Sequence, residues 1–329
     1  MTNLDKIKDI FDKNETFLVT THVLPDGDGL GGEIALGGYL KQLGKTFRII
    51  NHDETPEKFN FLDSRGWIEV CSDLKSNISA PDVIILVDCG ELSRVGSVAD
   101  EIKKFKSKIL VIDHHINKLR DIEEQFVDTN ASSIGEMLYR YFTHVETEIT
   151  FEMAQALYVS ILTDTGSFRH SRTTSLSHII AARLIDLGVD PEATYQKIYA
   201  TDSVAKIRLL GEVLSRLKVE SGGRLVWSVI TKPEREMYGA TEDDPSSFID
   251  IFMLIEPVEI AALIREDDSG MMKVSLRSKG DFDVFKVAEA LGGGGHTYAA
   301  GASIRGGMEE VVKKVVERCK EIIKSGVRK

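Results

Sequence analysis

Val19-Thr20-Thr21-His22-Val23-Leu24-Pro25-Asp26-Gly27-Asp28-Gly29-Leu30-Gly31-Gly32 is the stretch that decides the fold. Thr16 to Thr21 is a short β-branched and apolar run, the pattern of a buried strand. Beyond the glycines, Ile34, Leu36, Tyr39, Leu40 and Leu43 recur at helical spacing. His22, Asp26 and Asp28 therefore fall on a strand-to-helix turn, where open α/β sheets place their ligands. Two carboxylates this close repel unless positive charge lies between them. Together with an imidazole they suit a hard divalent cation such as Mn2+ or Mg2+. Taken alone, the segment fits a polar loop with an Asx turn equally well, so the rest of the chain must decide.

Outward from this turn the same grammar repeats. Thr46 to Ile50 has the texture of a second strand, and Val83-Ile84-Ile85-Leu86-Val87-Asp88 is a near-continuous apolar run typical of a strand buried on both faces. Ile109-Leu110-Val111-Ile112 is another such run, ending in Asp113-His114-His115, with a helix expected over Val98 to Phe105. Alternating strands and helices imply a parallel sheet with right-handed crossovers. Helices follow: one capped at Ser132 or Ser133 with capping-box spacing to Glu136, one over Phe151 to Leu162 breaking at Thr163-Asp164-Thr165-Gly166, one over Ser175 to Leu187, and one started by Pro191. Ser203 to Val219 has the pattern of a long connecting helix, and from Arg224 strands and turns dominate, with a hairpin turn at Asp267-Asp268-Ser269-Gly270. Met308 to Ile323 carries the apolar stripe of a core-packed helix. The fold class is α/β: a parallel-sheet domain with helices on both faces over residues 1–190, a linker helix over 191–220, and a smaller α/β domain over 221–329.

The chain has 329 residues, 41 Lys and Arg against 52 Asp and Glu, and a formal charge of −11. Such a balance argues against non-specific binding of long duplex nucleic acid, which depends on phosphate neutralisation. It leaves room for a short phosphorylated ligand held by local cations and metals. Three scattered cysteines imply no disulfide framework. No apolar run reaches a membrane span, and the N-terminus lacks a signal peptide's apolar core, so a cytoplasmic protein is expected.

His22, Asp26, Asp28, Asp88, Asp113, His114, His115 and Asp164 all lie at expected strand or helix ends, on four separate segments. A parallel sheet carries such ends to one edge. The set is about what two octahedral cations require, with one bridging carboxylate, and it contains no thiolate, which disfavours structural zinc.

Asp113-His114-His115 resembles the signature of the DHH phosphoesterase superfamily. His22-x-x-x-Asp26-x-Asp28 resembles its first motif, Val87-Asp88 its second, and Leu162-Thr163-Asp164-Thr165-Gly166-Ser167-Phe168 its fourth. Val274-Ser275-Leu276-Arg277-Ser278 and Leu291-Gly292-Gly293-Gly294-Gly295-His296, followed by Ala299-Ala300-Gly301-Ala302, resemble the associated DHHA1 domain. The compact two-domain form is similar to bacterial nanoRNases with pAp phosphatase activity and to phosphodiesterases that finish cyclic-di-AMP breakdown. The resemblance implies that His22 and Asp26 bind one Mn2+, that Asp28, His114 and Asp164 bind a second, and that Asp88 bridges them; Mg2+ or Co2+ are alternatives. It further implies that His115 faces the scissile phosphate, and that Asp113 orients a ligand imidazole.

Four successive glycines leave their amides unshielded, which suits an anion nest. The DHHA1 resemblance makes Arg277, Ser278, Gly293, Gly294, Gly295 and His296 the grip on the substrate's non-scissile end. A two-ended grip of this kind favours short substrates and asks for domain closure. Arg94, Arg169 and His170 are weaker candidates for the rim of the site. The expected activity is hydrolysis of short oligoribonucleotides, including pApA, to nucleoside 5′-monophosphates, and of pAp to AMP. The alternatives are an inorganic pyrophosphatase or exopolyphosphatase and a non-catalytic nucleotide sensor. A homodimer through the first domain is a guess that no residue pattern supports.

Overall fold

The structure is a computed structural model that describes residues 3–73, 79–115, 122, 124–280 and 282–325. The chain divides into two compact units, Met1–Thr201 and Asp202–Lys329. In the first, α1 (Asn3–Lys13) precedes β1 (Thr16–Thr20), α2 (Gly27–Gln42), β2 (Thr46–Asn51) and β3 (Ile68–Val70). Then come β4 (Val83–Val87), α3 (Val98–Ile102), β5 (Lys108–Asp113), β6 (Glu124–Val127), α4 (Ile134–His144), α5 (Phe151–Asp164), α6 (Ser175–Asp186) and α7 (Pro191–Tyr199). The six strands are all parallel, in the order β3-β2-β1-β4-β5-β6.

That order sets the site. From β1 the chain steps outward through β2 to β3, then returns across the sheet to β4 on β1's other side. The connections leaving the carboxyl ends of β1 and β4 diverge, and a crevice opens where they part. Both sheet faces are covered, which is why β4 is apolar and buried along its whole length. Phe17, Val19, Ile85, Val87 and Ile112 face a thick helical layer containing α2, α4 and α5. Leu18, Ile50, Ile84, Leu86 and Val111 face the thin layer of α3 and its preceding turn. Period-two alternation along each strand thus feeds two cores.

The second unit holds α8 (Val204–Ser215), β7 (Lys218–Glu220), β8 (Leu225–Ile230), α9 (Lys232–Tyr238), α10 (Phe248–Phe252), β9 (Ile260–Glu266) and β10 (Met272–Ser278), then α11 (Phe285–Glu289), β11 (Gly294–His296), β12 (Ala299–Ile304) and α12 (Met308–Ser325). Its sheet runs β11-β12-β10-β9-β8-β7, with β8 and β9 parallel and the other neighbours antiparallel. The expected hairpin at Asp267 to Gly270 is present: Asp267 Oδ1 accepts from the amides of Ser269 and Met271, and Gly270 takes φ +80°.

Three features differ from the sequence expectation. The connecting helix expected over Ser203 to Val219 ends at Ser215, and Lys218–Glu220 enters the sheet as β7. Residues 191–220, expected as one linker, contribute to both units: Ile198 of α7 is buried in the first core, Leu209 and Val213 of α8 in the second. Helix α5 also runs on to Asp164, which is its last turn and not the loop after it.

α2 lies against α5 so closely that a Cβ on Gly31 would sit 2.4 Å from the Ala156 carbonyl oxygen. Backbone cannot yield as a side chain does, so Gly31→Ala should destabilise the first unit by about 1–3 kcal/mol. Gly211, exposed on α8, has open space around it. Gly211→Ala should stabilise the second unit by about 1 kcal/mol through helix propensity. Denaturant unfolding of the two variants should therefore move midpoints in opposite directions.

Candidate metal centre

The carboxyl end of β1 is tied down before it delivers its ligands. Thr21 donates its hydroxyl to the Val87 carbonyl at 2.8 Å, Val23 N donates to Arg94 O at 2.7 Å, and Leu24 N donates to Asp53 Oδ2 at 2.7 Å. His22 Nδ1 lies 2.7 Å from its neighbour's carbonyl oxygen, which takes a proton on Nδ1 and turns Nε2 toward the carboxylates, where it can bond to Asp88 or ligate a cation. Asp26 caps α2, accepting from the amides of Asp28 and Gly29 through Oδ1. Asp28, in the first turn, is buried; it accepts from Ile134 N at 2.9 Å and from the Ser160 hydroxyl. Asp88 follows β4 with φ +53°, a left-handed conformation uncommon outside glycine and characteristic of functional sites.

These side chains converge. His22 Nε2 lies 3.4 Å from Asp88 Oδ2 and 4.0 Å from Asp26 Oδ1. His114 Nε2 lies 3.3 Å from Asp28 Oδ2 and 3.5 Å from both Asp88 Oδ1 and Asp164 Oδ2. Three groups of donor atoms within 4.8 Å of one another result: His22 with Asp26 and Asp88, Asp28 with His114 and Asp164, and Asp88 with His114 and His115. Asp88 Oδ1, His114 Nε2 and Asp164 Oδ2 are buried and have no hydrogen-bond partner among the described residues. Orphaned polar atoms are costly, and here both carboxylate oxygens lie 3.5 Å from the third atom, His114 Nε2. Oxygen and imidazole donors without a thiolate are the set that hard or borderline divalent cations prefer, so the residues fit a pair of such ions.

The electrostatics agree. Burial, reinforced by the Asp88 charge, pushes Asp28 up to about 7. Burial would raise Asp88 too, but His114, His115 and His22 outweigh it and hold Asp88 well below the carboxylate range. His114 is driven up to about 11 against its burial by Asp28 and Asp88. His115 rises to about 9 because the Asp113 carboxylate accepts from it and the Asp88 carboxylate lies close by. Without cations, the imidazoles serve as the positive charge that the carboxylates demand.

Asp113 differs in its contacts from the sequence expectation. Its Oδ1 lies 2.8 Å from Nδ1 of His115 and also accepts from the His115 amide, so the imidazole it orients is the one expected to face substrate. His114 Nδ1 instead lies 3.2 Å from the Ala131 carbonyl oxygen. Arg172, absent from the sequence reading, reaches His114 with a guanidinium nitrogen 3.1 Å from Nδ1 and another 3.2 Å from its carbonyl oxygen. Nothing marks it in the sequence, since it lies in a loop beyond the fourth motif. Arg169 donates to Gly166 O, and His170 sits against the Asp164 carbonyl, so both shape the turn after α5.

In the second unit, Arg277 pairs with Ala299, which pairs with His296 on the next strand. Residues opposite one another share a sheet face, so Arg277 and His296 flank the small Ala299 side chain. The Arg277 guanidinium is held by Asp250 at 3.1 Å. Ser278, next along the strand, points the other way and donates to Phe282 O at 2.6 Å. The glycine run is not an open nest. The amides of Gly292 and Gly293 donate to Glu289 and Ala288 at the end of α11, and Gly294 and Gly295 form an edge strand. A Cβ on Gly293 would lie 2.1 Å from Gly301 O, so side chains are excluded here by strand contact.

A doubly wound α/β unit with two adjoining cation-binding groups at its switch point defines a class of metal-dependent hydrolytic folds. Residues 16–161 match the DHH family, N-terminal domain, and residues 222–325 match the DHHA1 domain. The chain belongs to this DHH family of phosphoesterases, whose members are metal-dependent. It is similar to the bifunctional oligoribonuclease and PAP phosphatase NrnA of Thermus thermophilus, 32% identical over 305 residues that cover 92% of this chain and 89% of the relative. The protein of the same description from Bacillus subtilis is 26% identical over 294 residues, 88% of this chain and 90% of its own. A solved exopolyphosphatase-related protein from Bacteroides fragilis superposes with a TM-score of 0.90 at 28% identity, covering 98% of this chain and 97% of that one. Among the described residues no helix is long and apolar enough to cross a membrane.

Beneath β1 lies a buried carboxyl outside the sequence reading. Glu33 of α2 accepts from Asn51 Nδ2 at 2.8 Å, and Asn51 in turn accepts from Thr21 N at 3.3 Å, beside His22. Burial pushes Glu33 up to about 8 from 4.5. The folded state then keeps a proton that the unfolded chain releases, so this contribution to stability is full below pH 4.5 and is lost as pH rises through 8. Between these limits, Glu33→Gln should remove a slope of about 1.4 kcal/mol per pH unit. Denaturant unfolding of both proteins across this range, at constant metal, checks it.

Proposed function

We propose that the protein is a two-metal phosphoesterase that hydrolyses short oligoribonucleotides, pApA among them, to nucleoside 5′-monophosphates and removes the 3′-phosphate of pAp. The observation that carries this reading is the convergence of Asp88 Oδ1, His114 Nε2 and Asp164 Oδ2, buried and unpartnered, from three separate segments. Support comes from relatives named for both activities, each matched along nearly its whole length.

In this reading His22 and Asp26 hold one Mn2+, Asp28, His114 and Asp164 hold the other, and Asp88 is shared. When bound, the two ions neutralise charge on the phosphoryl oxygens and acidify water near phosphorus. Ser160 and the Ile134 amide fix the Asp28 carboxylate, so its orientation precedes substrate binding. His115 is half-buried, with Nδ1 engaged by Asp113, which leaves Nε2 as the donor toward the phosphate. As water gives up a proton to solvent and its oxygen bonds to phosphorus, the P–O bond to the leaving group breaks and His115 Nε2 hands its proton to the departing oxygen. Arg277 and His296, on either side of Ala299, bind the non-scissile part of the nucleotide through guanidinium and ring contacts. Gly294, around which a Cβ would meet nothing, leaves room for it beside His296, while Gly293 and Gly295 hold the edge strand against Gly301 and Ala299.

Activity against pApA, pAp, pyrophosphate, polyphosphate and a 24-residue RNA, each with Mn2+, tests the reading. Turnover of the first two with little of the long RNA is expected; release of phosphate from pyrophosphate or polyphosphate alone would move the protein to the alternative suggested by its exopolyphosphatase-related neighbour. Asp88→Ala should abolish turnover and lower bound metal. His115→Ala should reduce kcat by about 10²–10⁴-fold with bound metal retained, as measured by elemental analysis.

A further inference from the structure

Three successive residues after α5 take a left-handed backbone: Gly166 at φ +56°, Ser167 at φ +59° and Phe168 at φ +64°. Residues with a Cβ enter this region singly, so two in a row mark a segment that its surroundings hold in place. The Thr165 carbonyl oxygen accepts from the amides of Arg169 and His170, both at 2.9 Å. The Thr165 hydroxyl oxygen accepts from Phe168 N at 3.0 Å, and the Phe168 ring stacks on His178 at 4.9 Å. Thr173 N then donates to His170 O at 3.0 Å, which turns the chain again and puts Arg172 at the corner. This path carries the Arg172 guanidinium to His114, 58 positions away in sequence.

The guanidinium is poorly matched where it sits. One nitrogen donates to the His114 carbonyl oxygen at 3.2 Å, and another lies 3.1 Å from His114 Nδ1. Nδ1 also faces the Ala131 carbonyl oxygen at 3.2 Å, and it carries a proton for that bond whenever the ring is imidazolium or holds a cation on Nε2. Guanidinium only donates, so in both states Arg172 meets a second donor. A neutral ring with its proton on Nε2 would accept from Arg172, but that form gives Ala131 O nothing and closes Nε2 to a cation. Among the described arginines of this unit, Arg48, Arg65, Arg140 and Arg183 each have a carboxylate within ion-pair distance. Arg94 and Arg169 have none and are exposed to water; Arg172 has none among the described residues and is half-buried. A cation drawn partly out of water with no anion beside it is costly.

Its position fits one kind of partner. Asp28, Asp88 and His114 form the closed floor of the cluster, whereas the side chains of Asp164, His115 and Asp26 are 27%, 41% and 56% exposed. A ligand therefore reaches the cluster past these three. Arg172 is near enough to that side to act on Asp164: burial raises the Asp164 carboxyl, and the Arg172 charge is among those opposing the rise. A phosphate brought to the group of Asp28, His114 and Asp164 offers non-bridging oxygens there, and a guanidinium can bind two of them with its planar fork. We propose that Arg172 is a substrate-binding residue that grips the scissile phosphate beside Asp164. The inference rests on the phosphoesterase reading and adds to it a positive charge which, unlike that of His115, persists at any working pH.

Equilibrium binding of phosphorothioate-linked pApA to the Mn2+-loaded protein tests this without turnover, with Mn2+ affinity measured alongside. Arg172→Ala should weaken the analogue by about tenfold or more while Mn2+ affinity stays within about twofold. Arg172→Lys should recover part of the loss, since it restores the charge without the fork. An unchanged analogue affinity overturns the proposal. A matching loss of Mn2+ affinity overturns it as well, because Arg172 would then serve to hold His114 in place. Hydrolysis of unmodified pApA by the unaltered protein reports separately on the phosphoesterase reading: Arg172-dependent analogue binding without any turnover would keep this assignment and remove that one.

Discussion

Asp28 and Asp88 must occupy one small buried volume with His114, and everything else in the first unit bears on how that is tolerated. Asp28 and Asp88 are almost fully buried and His114 entirely so. Carboxylates so placed repel one another and lack water, and Asp28 is raised to about 7 as a result. Protonation of Asp28 relieves this, and so does positive charge, from imidazolium in the bare protein or from divalent ions. Metal binding and first-unit stability are therefore linked: whatever binds the folded cluster and not the unfolded chain stabilises the fold by mass action.

The sheet makes that crowding possible at little local cost. β1 and β4 are neighbours, and each ends in a residue whose backbone is already committed: Thr21 through its hydroxyl to Val87 O, Asp88 through its amide to Ile112 O. His22 and Asp88 thus emerge side by side without a long loop to order them. Asp164 arrives differently, at the last turn of α5, whose close approach to α2 depends on Gly31. A cluster with room for two cations is in this sense a consequence of strand order combined with one tight helix contact.

Much of this was legible in the sequence, and the parts that were not share a physical cause. The buried strands announce themselves because both sheet faces are covered, so β4 and β5 carry uninterrupted apolar runs. His22, Asp26, Asp28, Asp88, His114 and Asp164 are legible because each terminates such an element. β3 and β6 are not, because they are short, half-exposed and carry charge, as in Glu69 and Glu124. The glycine run suggested an open loop, yet it is an edge strand whose glycines permit contact with Gly301 and Ala300, since a missing Cβ looks the same in a sequence whether backbone or ligand fills the space. Glu33 escaped for the opposite reason. A glutamate on a helix normally marks the solvent face, but α2 is covered on all sides by sheet, α4 and α5 and has no such face over that turn.

The overall negative charge and the phosphate chemistry of the family appear opposed, and the distribution of cations reconciles them. A long polyanion experiences the summed field of the surface, which here is repulsive. A short one experiences chiefly what lies within a Debye length, about 8–10 Å at physiological salt. Within that distance of the first unit's cluster the relevant cationic groups are Arg172 beside His114, and His115 beside Asp113. Bound divalent ions, held by the carboxylates of that cluster, would add the positive charge that a ligand of a few phosphates requires. The acidic remainder of the surface repels a long polyanion, whatever the local cations offer a short one.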